Sequence, residues 1–181
     1  MSMIDKVVEA VTPTESEEAR GEARRRAQAA AGPGDWLAMV LDHHRQIEAA
    51  FAAVKNARSA MDKRLAQKRL SIVLTGHAIA EEAVLYPALA LHGEKSHAHT
   101  AYEQQATAKT EMAALDELDA MSQAYLDKLE EIRGAVAHHV FEEESKWFLE
   151  LKEKVPQLDQ TKLTVRYSEE FNRYAGHDIA A

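Results

Sequence analysis

Two stretches of this chain repeat one another. From His77 the sequence reads HAIAEEAVLYPAL, and from His139 it reads HVFEEESKWFLEL. Aligned without gaps, they set His on His, Glu81 on Glu143, Glu82 on Glu144 and Tyr86 on Phe148. The likeness extends upstream. His44 is followed at +3, +7 and +10 by Ile47, Phe51 and Val54, and Gln105 is followed at the same offsets by Ala108, Met112 and Leu115. Apolar residues at that spacing share one face of an α-helix. Each copy is therefore a pair of helices, and the chain carries two pairs. Short connections between four such helices predict an up-down-up-down bundle.

The rest of the sequence agrees with an all-α fold class. Only 7 Gly and 4 Pro interrupt 181 residues, and no alternating β-branched run argues for a strand. Hydrophobic residues at 46% and charged residues at 29% allow a packed core and exclude disorder by composition. Breaks fall at Gly32 to Gly34, around 56–60, at His92–Gly93, around 118–122 and at Pro156. They predict helices from the cap candidate Asp35 to about Ala57, from about Met61 to Leu91, from near Ser96 to Leu118, and from about Ser122 to Lys154. Pro87 is expected to kink the second of these or start a new turn.

Three segments follow. Residues 1–34 form a helix-prone N-terminal extension with only an alanine stripe to bury, expected to be frayed or weakly docked. Residues 35–155 form the four-helix bundle. Residues 156–181 carry Leu163, Tyr167, Phe171 and Tyr174 at near-helical spacing, which predicts a packed fifth helix.

Several function classes drop out. The chain has nine His and no Cys, which excludes disulfides, thiolate catalysis and Cys-held metals or clusters. A net charge of −8 is the wrong balance for a nucleic-acid partner. No stretch approaches the roughly 18 consecutive apolar residues of a membrane span, and the N-terminus lacks the pattern of a secretory signal. A cytoplasmic location is the expectation.

The apolar rows contain polar residues that a core should not hold. His44 lies in the first row, His77 and Glu81 in the second, and His139 and Glu143 in the fourth. Burying carboxylates without partners costs several kcal/mol each, in order of magnitude. His77 and Glu81 are four residues apart, as are His139 and Glu143, so each pair shares a helix face. Imidazole and carboxylate together suit iron, manganese or zinc. Glutamates from two helices of a bundle can bridge two metal ions.

The residues DHHRQIEAAF, HAIAEEAVLYPAL and HHVFEEESKWF resemble those of the hemerythrin-like, HHE cation-binding family, over about residues 35–155. The resemblance implies a four-helix bundle holding non-haem iron, with two irons expected and manganese or zinc as alternatives. It implies that His44 and His77 bind one iron, His139 the other, and that Glu81 and Glu143 bridge them. Gln105 departs from this pattern, because it stands where the family's third helix usually supplies a His. Ala101 stands one turn earlier, where oxygen carriers often have another. The second metal is left under-ligated. Water, Tyr102, Glu103 or His97 could compensate, or the second metal could be lost.

His43 and His138 adjoin ligand candidates, but a helix turns neighbours about 100° apart. They are less certain members of the site, read first as half-exposed or outer-contact residues. Glu82 and Glu144 read as solvated or as outer-contact acceptors, and His92, His97 and His99 as exposed. Tyr86 and Phe148 are expected to close the bundle beside the site. The function implied is binding or sensing of O2, peroxide or NO, in oxidative or general stress defence. Two other readings stand beside it. One is a catalase-like, peroxidase-like or iron-donating activity. The other is a metal-free interaction module.

Overall fold

The computed structural model describes residues 15–176. It is all-helical among those residues. The first fourteen residues of the extension and His177 lie outside them. Six helices follow one another. They are α1 (Glu17–Ala30), α2 (Trp36–Asn56), α3 (Ala60–His92), α4 (Lys95–Asp116), α5 (residues 123–154) and α6 (Gln157–Ala175).

Short polar side chains start four of the helices. Ser16, Asp35, Ser59 and Ser122 each accept a hydrogen bond from a backbone N–H three residues on, satisfying a donor the helix itself leaves free. Helix α4 follows Glu94 with no side-chain cap. At the end of α3, the Gly93 N–H bonds to Leu89 O at 2.8 Å. A Cβ on Gly93 would stand 2.9 Å from that oxygen, so only glycine fits there.

The two long helices α3 and α5 are not regular throughout. Each contains one π-helical turn, Glu81–Leu85 in α3 and Glu143–Trp147 in α5. Both turns begin at the Glu of the repeated motif. The backbone N–H of Tyr86 bonds to Glu81 O, and that of Phe148 to Glu143 O. Pro87, one residue further, has no N–H to offer the Glu82 carbonyl, and the Tyr102 hydroxyl donates to it at 2.7 Å. The irregularity expected at Pro87 is thus a π turn just before it. Single π turns inside α-helices are often found at functional sites.

The core gathers Leu37, Ile47, Phe51, Leu70, Leu85, Leu115, Leu129 and Phe148, all buried. Helix α2 packs on α3, and α4 packs on both α3 and α5. Helix α6 packs against α2, α3 and the π turn of α3. Its close approach depends on Gly76, where a Cβ would stand 2.9 Å from the Ala175 Cβ. Helix α1 packs on α2 and on the π turn of α5. It buries Ala23 and Ala27, and its Arg24 pairs with Glu48 and Glu144. The described part of the extension is docked, not frayed, because Arg24 adds a charged anchor that the alanine stripe did not suggest. Among the described residues one helix, Ala60–His92, is long and apolar enough to cross a membrane, but 56% of its apolar window is buried inside the molecule, as expected of a core helix.

Candidate metal centre

His44 of α2, His77 and Glu81 of α3, and Glu143 of α5 converge in the core. One donor atom from each lies within 4.8 Å of the others, and all four residues are buried. His44 Nε2 is 3.3 Å from Glu143 Oε2. His77 Nε2 is 3.2 Å from Glu81 Oε2. His139 of α5 meets the other oxygen of the same carboxylate, its Nε2 3.2 Å from Glu143 Oε1. Fully buried and without a hydrogen-bond partner are His44 Nε2, His77 Nε2, Glu81 Oε1 and Glu143 Oε2. Orphaned lone pairs of this kind are costly to bury. Imidazole nitrogens and carboxylate oxygens converging on one point suit a first-row metal ion, so the residues present fit a metal.

Each of the three imidazoles is held from behind at Nδ1. His44 Nδ1 is 2.8 Å from Glu144 Oε1. Glu144 is gripped by Arg24, whose Nε lies 3.0 and 3.1 Å from its two oxygens, and Arg24 also bonds Glu48 at 2.8 Å. His77 Nδ1 is 3.1 Å from the Tyr167 hydroxyl, which in turn is 2.8 Å from His43 Nδ1. His139 Nδ1 is 2.7 Å from Gln104 Oε1. An Nδ1–H that donates outward leaves the Nε2 lone pair pointing at the centre, the usual arrangement of metal-binding histidines.

The opposite side of the cluster is occupied by Tyr86. Its hydroxyl lies 3.1 Å from Glu81 Oε2, 2.9 Å from Glu143 Oε1 and 3.1 Å from His139 Nε2. Gln105 Nε2 donates to the Tyr86 oxygen at 2.5 Å and to Glu81 Oε2 at 2.7 Å.

The electrostatics are those of a crowded anionic pocket. Burial and the Glu143 charge push the Glu81 carboxyl well above the usual carboxylate range. Glu143 is held below that range, because His139 and His44 outweigh the burial that opposes its charge. Burial also works against the His44 imidazolium, yet Glu143 and Glu144 hold it up at about 10. Burial lowers His77, and the neighbouring His44 charge adds to that. Burial pushes the Tyr86 phenol up, with Glu143 and Glu81 adding to it. A cation between the two carboxylates would relieve their repulsion, and its binding would compete with protons for the same atoms.

The structure therefore brings together His44, His77, Glu81, His139, Glu143 and Gln105. It does not bring His43 or His138 to the centre. His43 is buried but turned away, stacked on Phe171 at 3.6 Å between ring centroids. Burial lowers its pKa to about 4, with the His44 charge adding to that. His138 Nδ1 faces Glu15, 2.8 Å away. None of the three side chains that could have compensated for Gln105 joins the cluster. Tyr102 bonds the Glu82 carbonyl. Glu103 pairs with His99 at the surface. His97 is not exposed as expected but buried, stacked on Trp147 and 3.1 Å from Glu150. The helix-start position of His97 hid this, because its partners come from α5, far along the sequence.

Sequence reasoning placed Tyr86 beside the site but not in contact with its donors, and missed Gln104, Tyr167 and Arg24 as participants. The aligned pair Tyr86 and Phe148 carried a signal: a hydroxyl present in one copy alone. Beside the cluster lies a cavity of about 240 Å³. His77, Gln104, Gln105 and His139 are among its lining residues, together with apolar side chains such as Leu74 and Met112 and the charged Lys109 and Asp116.

An all-helical protein with a buried His and Glu centre of this kind is a cation-binding protein in its class. The chain matches the hemerythrin HHE cation-binding domain over residues 36–151, and it belongs to that family. No curated protein and no solved structure matches the chain.

Proposed function

We propose that this is a non-haem iron protein of the hemerythrin-like kind, with an up-down-up-down four-helix frame, that binds or senses a small ligand: O2, peroxide or NO. The observation that carries the reading is the set of four orphaned donor atoms on the helix motifs of the HHE family. His44, His77, Glu81, His139 and Glu143 would hold the metal. Bound iron supplies a redox-active ion with room for an exogenous ligand. The chain supplies everything else. The carboxylates neutralise the metal charge. Glu144, Tyr167 and Gln104 fix the imidazole rings. The neighbouring cavity, which His77 and His139 help to line, gives a small ligand room beside the centre.

The test is metal analysis and absorption spectroscopy of protein purified from iron-rich medium, with and without chelation. Iron should co-purify with the wild type and be absent from Glu143→Ala. Chelation should lower the melting temperature, because a metal that binds the native state stabilises it. Protein with no iron, manganese or zinc above trace would overturn the reading.

A further inference from the structure

We propose that Tyr86 is itself a metal ligand, its oxygen filling on the second ion the place that the amide of Gln105 leaves short. This rests on the metal-binding reading above.

The argument is geometric. Neighbouring donor atoms bound at right angles to one first-row ion, at about 2.0–2.3 Å, stand about 2.8–3.3 Å from one another. The Tyr86 oxygen meets that spacing with three donors at once, at 3.1 Å to Glu81 Oε2, 2.9 Å to Glu143 Oε1 and 3.1 Å to His139 Nε2. The pair His139 Nε2 and Glu143 Oε1 meets it too, at 3.2 Å. On the His44 side, the distances between established candidates are the same, 3.3 and 3.2 Å. A hydroxyl placed only to fill space would need one partner. This one touches a donor from each of three motif residues and is fully buried.

The placement has a structural cause. In a regular α-helix, residues five apart stand about 140° away from each other around the axis. The π turn Glu81–Leu85 closes the backbone ring from Tyr86 N–H to Glu81 O, which sets Tyr86 over Glu81 on the same face. The equivalent π turn of α5 does the same for Phe148, which has no hydroxyl and packs edge-on against Trp36 at 5.5 Å. Thus the oxygen occurs in the copy that faces Gln105, and not in the copy that faces His44.

Ligation breaks the phenol O–H bond and forms one oxygen–metal bond with the oxygen lone pair. The proton leaves to solvent, and the metal's oxidation state is unchanged. The ligand class is a divalent or trivalent first-row ion.

The test uses the full chain, loaded with iron(II) and oxidised in air. Iron content, visible absorption and resonance Raman spectra are compared for the wild type, Tyr86→Phe, Tyr102→Phe and the surface variant Tyr174→Phe. The wild type, Tyr102→Phe and Tyr174→Phe should show a phenolate-to-iron charge-transfer band with phenolate ring modes. Tyr86→Phe should lose the band and part of its iron while keeping the rest. Should Tyr86→Phe fail to fold, persistence of the band in variants removing each of the other four tyrosines assigns it to Tyr86. Iron-loaded wild type without phenolate modes overturns this proposal and leaves the metal-binding reading standing, as does a band that survives Tyr86→Phe. Wild type that retains no metal overturns both.

Discussion

The first hairpin, α2 and α3, and the second, α4 and α5, present equivalent positions to the centre with different chemistry. His44 in the first corresponds to Gln105 in the second, and Tyr86 in the first to Phe148 in the second. Both differences fall on one side of the centre, because Tyr86 and Gln105 are in direct contact. The Glu that follows Glu81 and Glu143 in each copy also differs. Glu144 is buried, held between His44 and Arg24, whereas Glu82 is partly exposed and pairs with Lys109 at 2.6 Å. The cause is which outer helix covers each π turn. Helix α1 lies over the turn in α5 and brings Arg24. Helix α6 lies over the turn in α3 and brings Tyr167 to His77. Both copies share the π turn that aims the Glu inward, and the outer helices set what surrounds it.

The comparison predicts unequal losses at its two corresponding positions. His44→Ala removes an imidazole whose Nε2 is buried in the cluster without a hydrogen-bond partner. Metal affinity should fall more than about 100-fold, beyond the range for losing an outer contact. Gln105→Ala removes only an amide and should cost at most about tenfold. Competition against a chelator of known affinity measures both. Equal losses would break the idea that the second hairpin is the weaker donor.

Much of this was legible in the sequence, and the reasons differ by residue. The helices could be read because caps such as Asp35 and Ser122 are local signals, and because the apolar rows have an α-helical period. His44, His77, Glu81, His139 and Glu143 stood out because they are polar residues on those rows. Tyr86 was legible as a neighbour of the site but not as a contact of Glu81, since α-helical counting turns it away from that residue. The π turn that restores it depends on packing that no local residue announces. Arg24 and Tyr167 were illegible for another reason. They come from α1 and α6, whose docking partners lie more than a hundred residues away in the case of Arg24 and Glu144.

The outer contacts themselves should show the same asymmetry, with smaller effects. Arg24→Ala leaves the buried Glu144 carboxylate without its guanidinium. Stability in urea should fall by about 1–3 kcal/mol, the range for an unsatisfied buried polar group. Metal affinity should fall about tenfold or more through His44. Lys109→Ala breaks an ion pair at the surface and should cost less than about 1 kcal/mol, with metal affinity unchanged. A large effect of Lys109→Ala on metal affinity would mean that Glu82 supports the centre as Glu144 does.

The smallest predicted effect concerns how the two hairpins begin. Asp35 caps α2: its carboxylate accepts from Ala38 N at 2.9 Å and Gly32 N at 2.6 Å, and pairs with Lys152 at 2.6 Å. Glu94 precedes α4 without capping it. Asp35→Ala should therefore cost about 1 kcal/mol, and Glu94→Ala within about 0.5 kcal/mol of nothing. The Asp35 effect has a defined pH dependence. Burial opposes its charge, but the hydrogen bond from Lys152 and those from the two backbone N–H groups outweigh it and hold the carboxyl below the usual aspartate value. A carboxylate with a depressed folded pKa contributes fully above its unfolded pKa of about 3.9, and loses that contribution as pH falls through the folded value. The stability gap between wild type and Asp35→Ala should be complete at neutral pH and shrink below about pH 4. Urea midpoints at both pH values measure it, and a gap that widens on acidification would mean that the cap works through some group other than the Asp35 carboxylate.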